Sequence, residues 1–290
     1  MKNLIILSLM ATLFTGCATS RIEGWKRLIG GKVTSKKELR AELKKAKRHW
    51  RKRDQKAELE KALKSFEVVA NSSDKPYEAM KYLTRGYYLL ADGHTEEMEE
   101  KKKLWEVGIA WGEKAMATNS EFKKRVIDNG EAIEDVLKYL TKKEIEAIYW
   151  TATNLGKWGK NSGIATVLKY KTRIKNMINR VGELDKNFFY GAFNRYWGAY
   201  YAVAPGFAGG DMDKSWDNFQ AAIKIQKNYL GNYVLVADYW AKKKGDKKLF
   251  KKMLDKTLKG DVNSIPALKP ENTIEQRKAK KLLSQMDELF

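Results

Sequence analysis

Histidine, cysteine and carboxylate side chains carry most acid–base, nucleophilic and metal chemistry, and this sequence offers few of them in a usable arrangement. We expect one of its two histidines, His49, to lie in a basic run and the other, His94, in a polar loop, and neither has an evident serine, cysteine or carboxylate relay. A single cysteine excludes a disulfide within the chain and a CxxC metal or redox site. We therefore expect no catalytic residue, no metal site and no cofactor.

One acidic cluster bears on hydrolysis. Glu96, Glu97, Glu99 and Glu100 could supply the pair of carboxylates that a glycosidase needs. They fall in a charged, exposed segment that gives no reason for a raised pKa. A periplasmic hydrolase with an unrecognised acid pair therefore remains only a minor alternative.

Cys17 is placed for a different chemistry, the acylation of its sulfur. Lys2 precedes an apolar run from Leu4 to Phe14, and two small residues lead into the cysteine. The run is shorter than the roughly 20 residues that span a bilayer, but it suits the apolar part of a secretory signal. Its end resembles the lipobox of bacterial lipoproteins, although Phe14 stands where leucine is favoured. The alternatives are an ordinary signal peptide with a chance cysteine, or an uncleaved anchor.

These features predict how the chain is divided. We expect a lipoprotein signal peptide at 1–16, a linker at 17–35 that carries lipid on Cys17, and a single all-helical domain at 36–290. Ala18 follows the cysteine, with no aspartate there, which resembles the pattern of lipoproteins sent to the outer membrane. The expected location is the periplasm, anchored to a membrane by lipid. A protein there meets no chromosome, so we expect no nucleic-acid partner.

The most glycine-rich loop runs from Pro205 to Asp211. Its successive glycines could present N–H groups to an anion, but no Gly-Lys-Ser/Thr follows, so a P-loop is not supported. We expect a tight connection between helices, with Asp211 or Asp213 as the N-cap. The alternative is a ligand-lining loop, with Phe207 aimed into a cavity.

Aromatic residues are dense in the second half of the chain. Tyr196 and Tyr200 share one helical face, and Trp197 and Tyr201 share another. A single buried face cannot hold all of these rings. We therefore expect one face to pack inward and the other to line a pocket, a channel or an interface.

Hydrophobic periodicity indicates the elements that position these residues. From Lys36 onward apolar residues recur every three or four positions, and no sustained alternation indicates a strand. Three segments, ending near 120, 186 and 227, repeat small and apolar residues in register, as in the second helix of a tetratricopeptide unit. The prediction is an all-α array of tetratricopeptide-like helical hairpins (an α-solenoid), although spacings are irregular and the turn proline is absent. A helical bundle is the alternative.

The charge balance favours an anionic partner. Lys and Arg number 57 against 36 Asp and Glu, a formal net charge of +21, and the segment from Lys36 to Lys56 is especially basic. This segment suits a solvated helix face, or attraction to anionic lipid or an acidic partner. A cell-envelope adaptor that holds anionic lipid or polymer is therefore an alternative function.

The order of motifs from about 148 to 290 resembles the TRAP transporter T-component (TatT) family of periplasmic lipoproteins. The residues that carry the resemblance are Tyr149-Trp150, Asn154-Leu155-Gly156-Lys157-Trp158, Lys169-Tyr170-Lys171, Phe188-Phe189-Tyr190-Gly191, Arg195 to Tyr201, the loop 205–211, Pro270-Glu271-Asn272, Glu275 to Lys280 and Asp287 to Phe290. The first half of the chain matches more loosely, through the lipobox and the helical hairpins.

Membership implies a tetratricopeptide-like protomer that assembles as a homotrimer around hydrophobic passages. It also implies partnership with the solute-binding protein of a TRAP transporter and a hydrophobic or organic-acid ligand, in support of solute uptake. The family implies no catalytic residues. Seven residues at its motif positions are the ligand or partner-binding candidates: Asn154, Lys157, Trp158, Arg195, Tyr196, Tyr200 and Phe207.

Overall fold

The regular structure of the protein is helical wherever it is described. The structure, a computed structural model, describes residues 18–27 and 35–290, and these ranges contain no strand. The all-α prediction is therefore confirmed. The predicted signal peptide and Cys17 lie outside the described residues.

The helices follow each other with short connections. The α-helices are α1 (Lys36–Trp50), α2 (Lys56–Ser72), α3 (Tyr77–His94), α4 (Met98–Met116), α5 (Ser120–Lys123), α6 (Ile133–Val136), α7 (Ile145–Lys160), α8 (Ile164–Leu184), α9 (Phe188–Val203), α10 (Met212–Ile225), α11 (Gly231–Leu235), α12 (Lys242–Lys244), α13 (Lys247–Lys259), α14 (Lys269–Ser284) and α15 (Met286–Leu289). π-Helical segments cover Lys124–Asp128 and Val236–Ala241. Single 3₁₀ turns cover Gly24–Lys26, Leu137–Tyr139, Lys142–Glu144, Gly206–Ala208 and Pro266–Leu268.

Side-chain caps set several helix starts. Ser35 and Glu38 form a reciprocal capping box at α1. Asp211 accepts hydrogen bonds from the N–H groups of Asp213 and Lys214 at α10, so one of the two predicted N-caps is confirmed. Asp246 caps α13 in the same way.

Consecutive helices pack as hairpins. The pairs are α1 with α2, α3 with α4, α7 with α8, and α9 with α10, and α4 also packs on α7. Two glycines of α4 allow the close contact between α4 and α7. A Cβ on Gly112 would lie 1.8 Å from Thr151 Oγ1, and one on Gly108 would lie 2.8 Å from Asn154 Oδ1. Larger residues at these positions would push α4 and α7 apart.

Helix α14 returns to the first half of the chain. The Glu271 carboxylate, which is 3% exposed, accepts hydrogen bonds from Arg53 of the α1–α2 connection and from Arg85 of α3. Ile274 packs against Gly93 near the end of α3. The hydrogen bonds of Glu271 link residues 186 to 218 positions apart, and together with Ile274 they place α14 along α3.

Residues 18–27, which fall inside the predicted linker, pack against the helical array. The Arg21 guanidinium pairs with Glu113 of α4 at 2.9 Å, with side-chain exposures of 2% and 1%. The Gly24 N–H donates to the same carboxylate at 2.6 Å, and a Cβ on Gly24 would overlap the Ala110 backbone. The Thr19 N–H donates to Thr166 of α8. This segment therefore has a specific docked position.

A search of the described helices for a membrane span finds no helix with the required length and apolar character.

Replacement of Glu113 by alanine should release residues 18–27 and destabilise the fold. The buried Arg21 charge and the Gly24 N–H would lose their acceptor, which costs about 3 kcal/mol of unfolding free energy. Urea unfolding and hydrogen exchange at Gly24 measure the two effects.

The matched control is Glu106→Ala, because Glu106 pairs with Arg27 on a surface that is about one third exposed. Its expected cost is below about 1 kcal/mol. Equal destabilisation by the two variants would contradict the docking contact.

Candidate ligand site

Helices α3 and α7 present facing stripes of functional side chains. Positions 81, 85, 88 and 92 of α3 recur at helical spacing, as do positions 146, 150 and 157 of α7. Opposite members contact each other: Lys81 with Glu146, Arg85 and Tyr88 with Trp150, and Asp92 with Lys157. Helix α14 approaches the far end of these stripes, where Lys278 reaches Asp92. We call the region where α3, α7 and α14 meet the candidate cleft.

A charged cluster occupies the far end of these stripes. Asp92 accepts hydrogen bonds from Lys157, at 2.8 Å, and from Lys278 of α14. Lys278 also pairs with Glu275 at 3.1 Å. Burial would raise the pKa of Asp92, but the two lysines hold it well below its usual range. Burial would likewise lower the pKa of both lysines, but Asp92 raises each above its usual range. All three groups are therefore ionised near neutral pH.

The same cluster remains in contact with water. The side chains of Lys157 and Lys278 are 27% and 28% exposed, and that of Asp92 is 15% exposed. Fully buried ion pairs are costly, so this partial access lowers the cost of keeping three charges together. The cluster thus forms a polar surface that a bound solute could reach.

Four tyrosines add unpaired hydroxyl groups. They are Tyr88 of α3, Tyr149 of α7, Tyr196 of α9 and Tyr229 of the α10–α11 connection. Their hydroxyl groups make no hydrogen bond to a described residue, and none of the four hydroxyl oxygens is fully buried. Burial raises the pKa of Tyr88, Tyr196 and Tyr229, and in each case the nearby Tyr149 adds to the rise. Tyr88, Tyr196 and Tyr229 are therefore neutral hydrogen-bond donors gathered around Tyr149.

Aromatic rings form the apolar part of the wall around Arg85. Its guanidinium lies 4.6 Å from the Phe189 ring centroid, 5.4 Å from that of Trp150 and 5.5 Å from that of Trp50. Arg85 Nε and Trp150 Nε1 are buried donors without a partner among the described residues. An acceptor atom brought between these rings would satisfy them.

A sharp kink at the start of α9 orients the next aromatic residues. Phe189, Tyr190 and Gly191 have φ values of 41°, 59° and 87°, a left-handed run that is costly for the two aromatic residues. Arg195 holds it in place by donating to the carbonyls of Phe189 and Tyr190, at 2.6 and 2.5 Å. Its guanidinium also stacks 4.3 Å from the Tyr229 ring centroid.

The structure brings some of the predicted residues together. Lys157 belongs to the charged cluster, and Tyr196 places its hydroxyl close to Gly156, the residue before Lys157. Arg195, 4% exposed, supports the kink behind the rings. Tyr200 lies farther along α9 and donates to the Ala208 carbonyl at 2.7 Å, which ties α9 to the glycine-rich loop.

The other three predicted residues lie elsewhere. Asn154 is fully buried, and its amide donates to the backbone carbonyls of Thr84 and Trp150, so it links α3 to α7 inside the core. Trp158 packs edge-on against Tyr170 on the side of α7 that meets residues 18–27. Phe207 does not point into a cavity, because its side chain is 87% exposed.

Sequence reasoning did not name Arg85, Tyr88, Asp92, Tyr229, Glu275 or Lys278 as site candidates. The sequence does contain a pattern that points to two of them. Tyr88 and Asp92 are four residues apart and lie on the same face of α3 as Arg85. No local pattern pairs Asp92 with Lys278, which is 186 positions away.

Two sequence-based statements about histidines are wrong. His49 does have a carboxylate partner, since its Nδ1 lies 2.8 Å from Glu58, whose pKa this hydrogen bond and Lys61 lower to about 2. His94 lies at the end of α3, with its Nε2 2.9 Å from the Arg53 carbonyl oxygen, and not in a loop.

The acidic cluster of Glu96, Glu97, Glu99 and Glu100 is exposed. Among the described residues no group of three His, Cys, Asp or Glu side chains could hold a metal ion.

Comparison with known families gives one match. The model of the family described as TRAP transporter T-component matches residues 88–290, which is more than half of the chain and includes the cleft residues named above except Trp50, Lys81 and Arg85. No curated protein sequence matches the chain.

Replacement of Asp92 by asparagine should destabilise the protein at neutral pH by roughly 3 kcal/mol, because two lysines would lose their shared counter-ion. The wild-type advantage should shrink as the pH falls below 3.8, the ordinary pKa of the group. Below that pH the unfolded chain takes up a proton at Asp92, whereas the folded protein keeps the Asp92 carboxylate ionised. The wild-type advantage in unfolding free energy therefore falls by up to about 1.4 kcal/mol per pH unit.

Urea unfolding at several pH values measures this difference. Asp238→Asn is the matched control, because Asp238 forms an i,i+4 pair with Lys242 on the surface and should cost below about 1 kcal/mol. A cost for Asp92→Asn that is small at neutral pH, or independent of pH, would contradict the charged cluster.

Proposed function

The chain belongs to the TRAP transporter T-component family, and on this premise we propose that it binds an organic-acid solute in the cleft between α3, α7 and α14 and works with the solute-binding protein of the transporter. The observation that carries the proposal is the group of two buried donors without a partner among the described residues, Arg85 Nε and Trp150 Nε1, on the same two helices as Asp92 and Lys157 of the charged cluster. Buried polar groups are normally satisfied, so such a group suits a ligand.

The chemistry of the cleft favours an amphipathic anion. Phenols and ammonium groups donate hydrogen bonds to a carboxylate, whereas the rings of Trp150 and Phe189 offer apolar contact to a hydrocarbon body. The charge balance points the same way. In and behind the cleft, five cations (Arg53, Arg85, Lys157, Arg195 and Lys278) stand against three carboxylates (Asp92, Glu271 and Glu275).

Anchoring and partnership complete the proposal. Acylation of Cys17 would hold the protein at a membrane in the periplasm, where transported solutes are available to it. The docked residues 18–27 support this arrangement, because they leave a short tether between the cysteine and the helical array. The proposed task is binding and transfer of solute, without catalysis.

The ligand proposal is tested by calorimetric titration of the protein with monocarboxylates of increasing chain length. We expect affinity to rise with chain length while the carboxylate is kept, and to fall for the matching primary amides. Tyr149→Phe and Tyr196→Phe should each weaken binding about tenfold, because each removes one hydrogen bond to a charged group.

The control for these variants is Tyr82→Phe. Tyr82 lies on α3, but it packs on Phe66 and Trp50 in the first hairpins. Its substitution should leave affinity unchanged. Equal affinity of all three variants for every carboxylate, or no binding of any carboxylate by the wild type, would contradict the assigned site.

The partner proposal is tested by capture from detergent-solubilised cell envelope with the acylated protein, followed by mass spectrometry. The expected partner is a TRAP solute-binding protein that stays bound at high salt, because we propose a contact that does not depend on the basic surface. Recovery of anionic lipid or polymer alone, lost between low and high salt, would contradict the proposal and support an adaptor that uses the basic surface.

A further inference from the structure

A groove of about 570 Å³ lies between the start of α9 and the end of α10. Its lining comes from Asn187, just before α9, Tyr190 of α9, and Ala221, Lys224 and Ile225 of α10. This volume falls within the range of about 300 to 1,000 Å³ that is usual for ligand sites. The candidate ligand site described above does not include this groove.

The polar groups of the groove are available to a solute. Lys224 is exposed and forms no ion pair with a described residue. Asn187 and Tyr190 hydrogen-bond through backbone atoms, and their side chains make no hydrogen bond to a described residue. An ammonium and an amide donate hydrogen bonds to a carboxylate, whereas Ala221 and Ile225 offer apolar contact. The groove therefore combines donors with apolar surface, as the cleft does.

The Tyr190 ring connects the groove to the cleft. It stacks on the Tyr229 ring, with centroids 6.4 Å apart and planes at 27°, and it lies edge-on to Phe189 at 5.6 Å. Phe189 in turn lies edge-on to Trp150 at 5.1 Å and contacts the Arg85 guanidinium. The Tyr190 ring therefore stands between the groove, which it lines, and two rings that belong to the cleft.

The backbone of Tyr190 is held in a strained conformation. Tyr190 has φ 59° and ψ 42°, and it lies between Phe189 and Gly191 in the left-handed run. Gly191 fits closely on α10, where a Cβ would lie 3.2 Å from the helix backbone. Arg195 balances the strain with its hydrogen bonds to the carbonyls of Phe189 and Tyr190. Strained elements held by a few bonds have a second arrangement close in free energy, and a change of φ at Tyr190 would move its ring.

We propose that the groove is the outer binding site for the organic-acid solute and that the Tyr190 ring is the gate between this site and the cleft. The solute carboxylate first meets Lys224 and Asn187, and the solute enters the cleft when the ring moves aside. This inference rests on the proposed function, since it takes the same solute and the same cleft. A gate of this kind sets the rates of binding and release, whereas the groups inside the cleft set the affinity.

The gate is tested on the full-length protein with decanoate as the probe. Stopped-flow measurement of tryptophan fluorescence gives the two rate constants, because Trp150 lies in the cleft, and calorimetric titration gives the dissociation constant. Tyr190→Ala should raise the association and dissociation rate constants together, each about tenfold or more, because open states of this kind are populated at about 0.1–10%. The dissociation constant, which is their ratio, should stay unchanged. Tyr190→Leu should act in the same direction while it keeps more of the apolar contact.

Two further variants are controls for the gate. Tyr190→Phe keeps the ring and should keep the wild-type rates. Tyr201→Ala removes a partly buried tyrosine from the same helix, where it packs against Trp197 at 5.5 Å and does not line the groove. It should also leave both rate constants unchanged.

The outer site is tested by Lys224→Ala. Loss of this charge should lower the association rate constant about threefold at low salt and weaken its dependence on salt, because charges at the rim of a site act mainly on association. The matched control is Lys227→Ala, since Lys227 is an exposed lysine three residues away that does not line the groove. Equal effects of the two variants would overturn the outer site.

The remaining outcomes separate the gate from the function on which it rests. No binding of decanoate, or of shorter and longer monocarboxylates, by the wild type would overturn both. Binding of decanoate with wild-type rates in Tyr190→Ala and Tyr190→Leu would overturn the gate alone. Faster dissociation without faster association would also overturn it, and would make Tyr190 part of the wall that holds the bound solute.

Discussion

The carboxylate of Glu271 holds the two ends of the helical array together. It lies on α14, is almost fully buried, and accepts hydrogen bonds from Arg53 and Arg85 near the start of the chain. A buried carboxylate of this kind is tolerated only with complete pairing, so α14 has one favourable position along α3. That position also brings Lys278 to Asp92 and Glu275 to the cleft. The polar end of the proposed ligand site therefore depends on the return of α14.

Backbone strain at the start of α9 serves the same cleft. Two aromatic residues, Phe189 and Tyr190, adopt left-handed conformations that an ordinary helix start would avoid. Arg195 donates hydrogen bonds to their carbonyls and stacks on Tyr229. The Arg195 guanidinium therefore interacts with groups of the protein itself. The result is that the Phe189 ring faces Arg85 and Trp150. We interpret the kink as the feature that turns the Phe189 ring toward the proposed ligand site.

Local patterns predicted much of the fold and only part of the site. Apolar spacing predicted helices, and short-range capping predicted a helix start at Asp211 or Asp213, of which the structure has Asp211, because both signals depend on residues within a few positions. The family motif pointed to Lys157, Tyr196 and Arg195. Asp92 and Lys278 could not be paired from sequence, since charged residues are common on every helix here and only the return of α14 brings these two together. Asn154 illustrates the opposite case, because a motif residue proves to hydrogen-bond two backbone carbonyls within the core.

Ligand binding in the cleft is best tested by an electron-density map of the protein purified from its native envelope, at a resolution that shows bound solutes. We expect elongated density in the cleft, with a carboxylate within hydrogen-bond distance of the hydroxyls of Tyr149 and Tyr196 or of Lys157, and with its body along Trp150 and Phe189. A map in which the four tyrosine hydroxyls bond only to protein groups, with the rings closed on each other and no space between α3, α7 and α14, would contradict it.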